Sequence, residues 1–253
     1  MNGHSPASSQ EITQICLLAG KIILQNGGET YRVEDTMVRI ATAYGIESSH
    51  SFVTPTGIIF AVDGSSQMTR LIRISERSTN LHKVSQVNDI SRRIGSGNLE
   101  AHEAHLLLKE IDASASAYPV WLQVLAAAVA SGCFLIMFKG GWHDFFPVFV
   151  AGGAAYWFLV TLHRIVPIKF FAEFIAALLI GTLSVLFVRY GFGFDLDKII
   201  IGSVMPLVPG LHITAAVRDL MAGHLVSGLS KGAEAFLTAF AIGSGIAAVL
   251  SIY

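Results

Sequence analysis

The sequence predicts two bodies: an N-terminal α+β cytoplasmic domain, and after it an all-α polytopic membrane domain of about five transmembrane helices, the fourth broken at Pro206 and Pro209-Gly210. Three observations lead there. The 253-residue chain is 53% hydrophobic and 14% charged, whereas soluble domains run near roughly 25% charged. Its charge is uneven, with 10 of the 17 Lys/Arg and 12 of the 18 Asp/Glu inside residues 1–117, so one body is wet and the other apolar. The pattern changes too, from helix and strand periods to uncharged runs of spanning length.

A net charge of −1 and the lack of a Lys/Arg block argue against nucleic acid as a partner and against a polybasic anchor. The start shows no basic region followed by an apolar core and a small-residue cleavage site, so no secretory leader is expected and the first domain is expected in the cytoplasm. Cys16 and Cys133 lie in separate apolar segments without CxxC spacing, which reads as packing rather than a disulfide or a metal site.

Residues 1–9 are small and polar and are expected to be disordered; the cytoplasmic domain is expected over 10–117. Ile12, Ile15, Cys16, Ala19, Ile22 and Ile23 recur at helical spacing up to Asn26-Gly27-Gly28, a stop signal. A second helix opens at Glu29 or Thr30, shows Val33, Met37, Ile40, Ala41 and Tyr44 on one face, and closes at Gly45. Phe52-Val53-Thr54, Ile58 to Val62 and Met68 to Ile74 are β-branched and aromatic runs divided by Pro55-Thr56-Gly57 and Asp63-Gly64-Ser65-Ser66, which predicts an antiparallel meander. Asn80 caps a third helix carrying Val84, Val87, Ile90 and Ile94, and a fourth runs from about Leu99 to Asp112.

Two readings of the polar residues here stay open. Glu29, Thr30, Arg32, Glu34 and Asp35, with Thr54, Pro55, Thr56 and Gly57, can assemble a polar site; equally, carboxylates in a first turn suit the helix dipole and Thr-Pro-Thr-Gly suffices as a turn. His102 and His105 share a helix face, but without HExxH or a third ligand they read as solvated, so no metal and no cofactor are expected.

Five spans follow, at about 118–138, 145–162, 170–188, 199–217 and 235–252, each long enough for a hydrocarbon core of about 30 Å. Ala151-Gly152-Gly153-Ala154-Ala155, and later Gly243 and Gly245, supply small residues for close helix contact. Glu173 lies inside the third span. It reads either as a coupling carboxylate or as an i,i+4 surface pair with Lys169. In the fourth span two prolines and a glycine cannot continue a helix, and a break in lipid is tolerated where protein covers it or where it lines a cavity. It is either a kinked packing helix or part of a substrate path, with Pro206, Pro209, Gly210, His212, Thr214, Arg218 and Asp219 as its candidates. The loops assigned inside hold Arg164, Lys169, Arg218 and Lys231 against Lys139, Arg189 and Lys198 outside, a slight bias with the expected sign. An odd span count leaves the C-terminus outside.

Gly27-Gly28-Glu29-Thr30-Tyr31-Arg32-Val33-Glu34-Asp35-Thr36-Met37, then Phe52-Val53-Thr54-Pro55-Thr56-Gly57, and then Pro206-Leu207-Val208-Pro209-Gly210 with Arg218-Asp219-Leu220, resemble the threonine/serine exporter family and its YjjP-like branch over nearly the whole chain. The resemblance implies secondary export of small carboxylate-bearing metabolites across the bacterial inner membrane, threonine and serine for the namesakes and succinate for the YjjP-like branch. It also implies a separately encoded small membrane subunit as partner; the lipid bilayer and a second copy of this chain are the other partners expected. It carries over no substrate-contact residues. The alternative is a membrane-tethered enzyme or sensor whose site lies in residues 1–117, though anchoring alone needs one span.

Overall fold

The computed structural model describes residues 8–63, 68–114, 118–166, 168 and 170–253. Most of the expected N-terminal tail and part of the Asp63-Gly64-Ser65-Ser66 turn therefore lie outside the described residues. The chain is mostly helical with one small sheet and forms two compact units: Met1–Ser116 together with Ile213–Gly232, and Ala117–His212 together with Ala233–Tyr253.

In the first unit, α1 (Ser9–Gln25) is the central element. Ser8 Oγ accepts from Glu11 N at 3.2 Å, and Ile15, Ile22 and Ile23 are fully buried. The helix stops at Asn26 because Gly27 takes φ 87°, a left-handed conformation that favours glycine. α2 (Thr30–Ala43) packs on α1 and contributes Val33, Met37 and Ile40 to the core. Three antiparallel strands, β1 (Ser49–Thr54), β2 (Gly57–Val62) and β3 (Met68–Arg73), follow in that order across the sheet. The register pairs Val53 with Ile58 and Ile58 with Ile72. The other face lines up Phe52, Ile59 and Leu71, all three exposed. α3 (Leu81–Gly95) begins as expected at Asn80, whose Oδ1 accepts from His82 N and Lys83 N, and α4 (Ala101–Ala113) closes the α/β part.

The second unit is built on α5 (Val120–Met137), α6 (Phe145–Ile165) and α7 (Phe171–Arg189), all long and apolar enough to cross a membrane. The short helix α8 (Leu196–Val204) packs against all three. Small residues allow this. A Cβ on Gly202 would lie 3.1 Å from Val148 Cγ1 and 3.3 Å from Ser131 O, and one on Gly245 only 2.5 Å from Phe174 O. Gly243, expected to pack in the same way, faces open space.

The stretch expected as the fourth span is interrupted where its prolines stand. After α8 comes a 3-10 turn, Met205–Leu207, and α9 (Gly210–Met221) starts after Val208-Pro209, with a 60° bend between the two halves. The final helix differs from expectation. α10 (Leu225–Leu250) is 26 residues long and begins ten positions before the 235 read from sequence, running through Lys231 and Glu234. A charge ends an apolar run in a hydropathy reading but does not end a helix when a counter-charge receives it, and Lys231 has one in Asp219.

The core assignment is testable by unfolding the detergent-solubilised protein with circular dichroism. Phe60→Ala, at a fully buried site, is expected to cost about 3–5 kcal/mol. Leu71→Ala, 68% exposed, should stay within about 0.5 kcal/mol. Equal losses would contradict the sheet's inside-outside assignment.

Candidate functional site

Within the first unit, the polar residues of two distant sequence motifs meet at the start of α2. The N-cap residue Glu29 makes no capping bond with its own side chain. The cap comes instead from Asp219, near the end of α9: its Oδ1 accepts from Thr30 N at 3.1 Å and its Oδ2 from Thr30 Oγ1 at 2.9 Å. Lys231 Nζ of α10 donates to the same Oδ2 at 2.7 Å. Asp219 is fully buried and the Lys231 side chain is 9% exposed. A carboxylate at a helix C-terminus is poorly placed with respect to its own dipole, whereas at the N-terminus of another helix it is well placed. The position of Asp219 makes sense only through α2 and Lys231.

Glu29 is turned outward to cations. Its Oε1 accepts from Arg218 Nη1 at 2.6 Å and its Oε2 from Arg32 Nη1 at 3.3 Å. Burial pushes the Glu29 carboxyl up, but its backbone hydrogen bond, the Arg218 bond and the charges of Arg32 and Arg218 together outweigh that and hold it below its ordinary value. Glu34 goes the other way: burial dominates and raises it, against the Val53 N–H and the His224 charge. Its Oε1 accepts from Val53 N at 3.0 Å, and its Oε2 is 3.8 Å from His224 Nε2. Ser227 Oγ donates to Val53 O at 3.4 Å. Gly223, at φ 87°, makes the turn that returns α10 beside α9, where His224 N donates to Asp219 O at 2.9 Å.

The structure thus assembles Glu29, Thr30, Arg32, Glu34, Arg218 and Asp219 from the sequence candidates and leaves others apart. Asp35 forms an i,i+4 pair with Arg39 on the surface. Thr54 Oγ1 bonds Gly57 O across the tight turn, so Thr54, Pro55, Thr56 and Gly57 shape the β1–β2 hairpin. Arg218 and Asp219 reach Glu29 and Lys231. At the break, Gly210 N donates to Val208 O at 2.8 Å; Pro206 lies within the 3-10 turn and Pro209 just before α9. His212 and Thr214 are exposed on the first turns of α9. Lys231, His224 and Ser227 were not singled out. Lys231 carried the best signal, a lone cation in an apolar stretch that requires a buried partner.

In the second unit, beside the Lys198–Asp195 pair at 2.9 Å, two titratable groups of neighbouring helices meet. Glu173 Oε1 of α7 lies 3.3 Å from His163 Nε2 of α6, with side chains 16% and 46% exposed, while Glu173 Oε2 is buried without a hydrogen-bond partner among the described residues. Lys169, the partner suggested by sequence, lies outside the described residues. A first-turn carboxylate gains about 0.3–1 kcal/mol from the helix dipole, and an uncompensated buried ion costs several kcal/mol. The dipole alone does not account for Glu173.

The family described as "Putative threonine/serine exporter" matches residues 14–253. The chain is 27% identical to "Probable succinate transporter subunit YjjP" of Klebsiella aerogenes, over 98% of this chain and 96% of that protein. It is 28% identical to the protein of the same description in Escherichia coli, over 96% and 94%. With "Probable threonine/serine exporter" of Mycobacterium tuberculosis it shares 23% identity over 94% of this chain and 45% of that protein. No solved structure matches.

Two measurements probe the cluster. Asp219→Ala and Lys231→Ala are each expected to cost about 3–5 kcal/mol, because each strands a buried charge, and the double variant should cost clearly less than their sum; additivity would disprove the pairing. The acid dependence should separate the two glutamates. Glu29, lowered on folding from 4.5, stabilises the fold above that value and loses its contribution as pH falls through the lower folded value. Glu34, raised from 4.5, stabilises below that value and loses its contribution as pH rises through the higher folded one. Thermal midpoints against pH should therefore converge with wild type at low pH for Glu29→Gln, while Glu34→Gln should gain on wild type toward neutral pH.

Proposed function

The chain belongs to the threonine/serine exporter family, and we propose that it works there as one subunit of a bacterial inner-membrane secondary exporter of small carboxylate-bearing metabolites. Its helices make it a multi-pass membrane protein, and its relatives' names indicate transport. The substrate class is a dicarboxylate such as succinate or an amino acid of the threonine/serine type, in keeping with the names that those relatives carry. A separately encoded small membrane subunit completes the path, in keeping with the word "subunit" in two of those names. The α/β part lies in the cytoplasm.

The observation that carries this reading is the break between Leu207 and Gly210. Two helices that are long and apolar enough together for one span meet there at a bend, and the first N–H groups of α9 are of the kind that receives a carboxylate. His212 and Thr214 on its first turns supply side-chain contacts, and Arg218 adds positive charge near the far end of the same helix. The Glu29-Thr30 motif holds that far end through Arg218 and Asp219, so the half-helix has a fixed support from which to act.

Counterflow of labelled succinate, serine and threonine in proteoliposomes tests the proposal. The chain with its second subunit is expected to exchange at least one of them; flux from the second subunit alone would remove this chain from the path. Pro206→Ala with Pro209→Ala should lower flux on the order of tenfold, about 1.4 kcal/mol in barrier, while the protein stays inserted and monodisperse. Unchanged flux would remove the break from the mechanism.

A further inference from the structure

We infer that His163 and Glu173 form the proton-binding site of the transport cycle, with Glu173 Oε2 as the atom that receives the proton; this rests on the exporter reading above. The geometry supplies a reason for each part. Glu173 Oε1 already faces His163 Nε2 at 3.3 Å, so one carboxylate oxygen has a ring nitrogen as its partner. Oε2 is buried and without a hydrogen-bond partner among the described residues. An anionic oxygen in that position, inside a helix of spanning length, is held at high cost, and a proton on it removes the charge.

Among the described residues, the charges on the elements packed around the pair are these. α6 brings His163 and Arg164, and α7 itself carries only Glu173 and, at its other end, Arg189. α8, packed on both, has Asp197 and Lys198 in its first turn, next in sequence to that far end of α7. The second-unit part of α10 carries Glu234, which has an interaction of its own. His163 is the described titratable group within ion-pair distance of Glu173.

Protonation has a mechanical consequence. With Glu173 neutral, the carboxylate charge that faces His163 Nε2 is gone, and His163, 46% exposed, is free to turn to water. The tie between α6 and α7 then opens. Ala155 of α6 and Ala176, Ala177 and Ile180 of α7 share one core cluster with Val204 and Leu207, which end the first half of the broken span. A change in the α6–α7 spacing is felt at the break because a close-packed core transmits it.

The test reads the proton and the transport separately. Infrared titration of the chain reconstituted in bilayers should show a carboxylic-acid carbonyl band that disappears in Glu173→Gln, persists in Glu234→Gln and shifts its midpoint in His163→Gln. In proteoliposomes holding the chain and its second subunit, Glu173→Gln should keep counterflow within about twofold of wild type and lose about tenfold or more of the accumulation driven by a pH gradient. A set of titrating carboxyl bands left unchanged by Glu173→Gln overturns the inference. So does gradient-driven transport at the wild-type level, or loss of counterflow and accumulation together in a monodisperse variant. If wild type moves no substrate at all, the exporter reading falls, and the band alone decides whether Glu173 binds the proton.

Discussion

A carboxylate sealed from water needs donors of its own, and much of the first unit follows from supplying them to Asp219. Three donors converge on it: the backbone N–H and the hydroxyl of Thr30, and the Lys231 ammonium. Removing any one leaves a buried polar group without its partner, which is far more costly than losing a surface ion pair. The two residues Arg218-Asp219 therefore address the two residues Glu29-Thr30 in register, one pair by charge at the surface and the other by capping in the interior. A shift of one residue in the Arg218-Asp219 motif would place an apolar side chain in one contact and a wrongly charged one in the other.

This register also explains why Gly27-Gly28 stands where it does. The chain must leave α1 and enter α2 within four residues, and Gly27 in the left-handed region turns it. A Cβ on Gly28 would lie 2.9 Å from Ile23 O, so the turn closes tightly enough to present Thr30 N–H outward rather than spend it on the preceding helix. Local backbone freedom, helix polarity and the buried ion pair are thus one arrangement seen at three scales.

What could be read in the sequence was periodicity and punctuation. The stop at Asn26, the cap at Asn80, the hairpin at Pro55-Thr56 and the break at Pro206 to Gly210 are local chemistry, and each stands where its residues placed it. The start of α10 was misread, because a hydropathy run ends at a charge while a helix continues through Lys231 once Asp219 neutralises it. Partner choice is not written in the local sequence. Arg218 and Asp219 are neighbours in sequence, but adjacent helical positions point in different directions, and the partner of Arg218 lies 189 positions away. Glu173 was flagged as a charge in a span, but His163 depends on how α6 and α7 turn toward each other, which no local pattern specifies.

The contacts on Val53 close off one border of the small sheet. β1 pairs with β2 on one side only, and on its other side the Val53 N–H and C=O are taken by Glu34 and Ser227. That border therefore offers no free template for a foreign strand at its inner end. The opposite border, β3, bears Arg70 and Arg73, and cationic side chains along an edge discourage pairing with another chain. With an apolar row of Phe52, Ile59 and Leu71 exposed on the sheet face, these two guards keep a three-stranded sheet from extending into an aggregate.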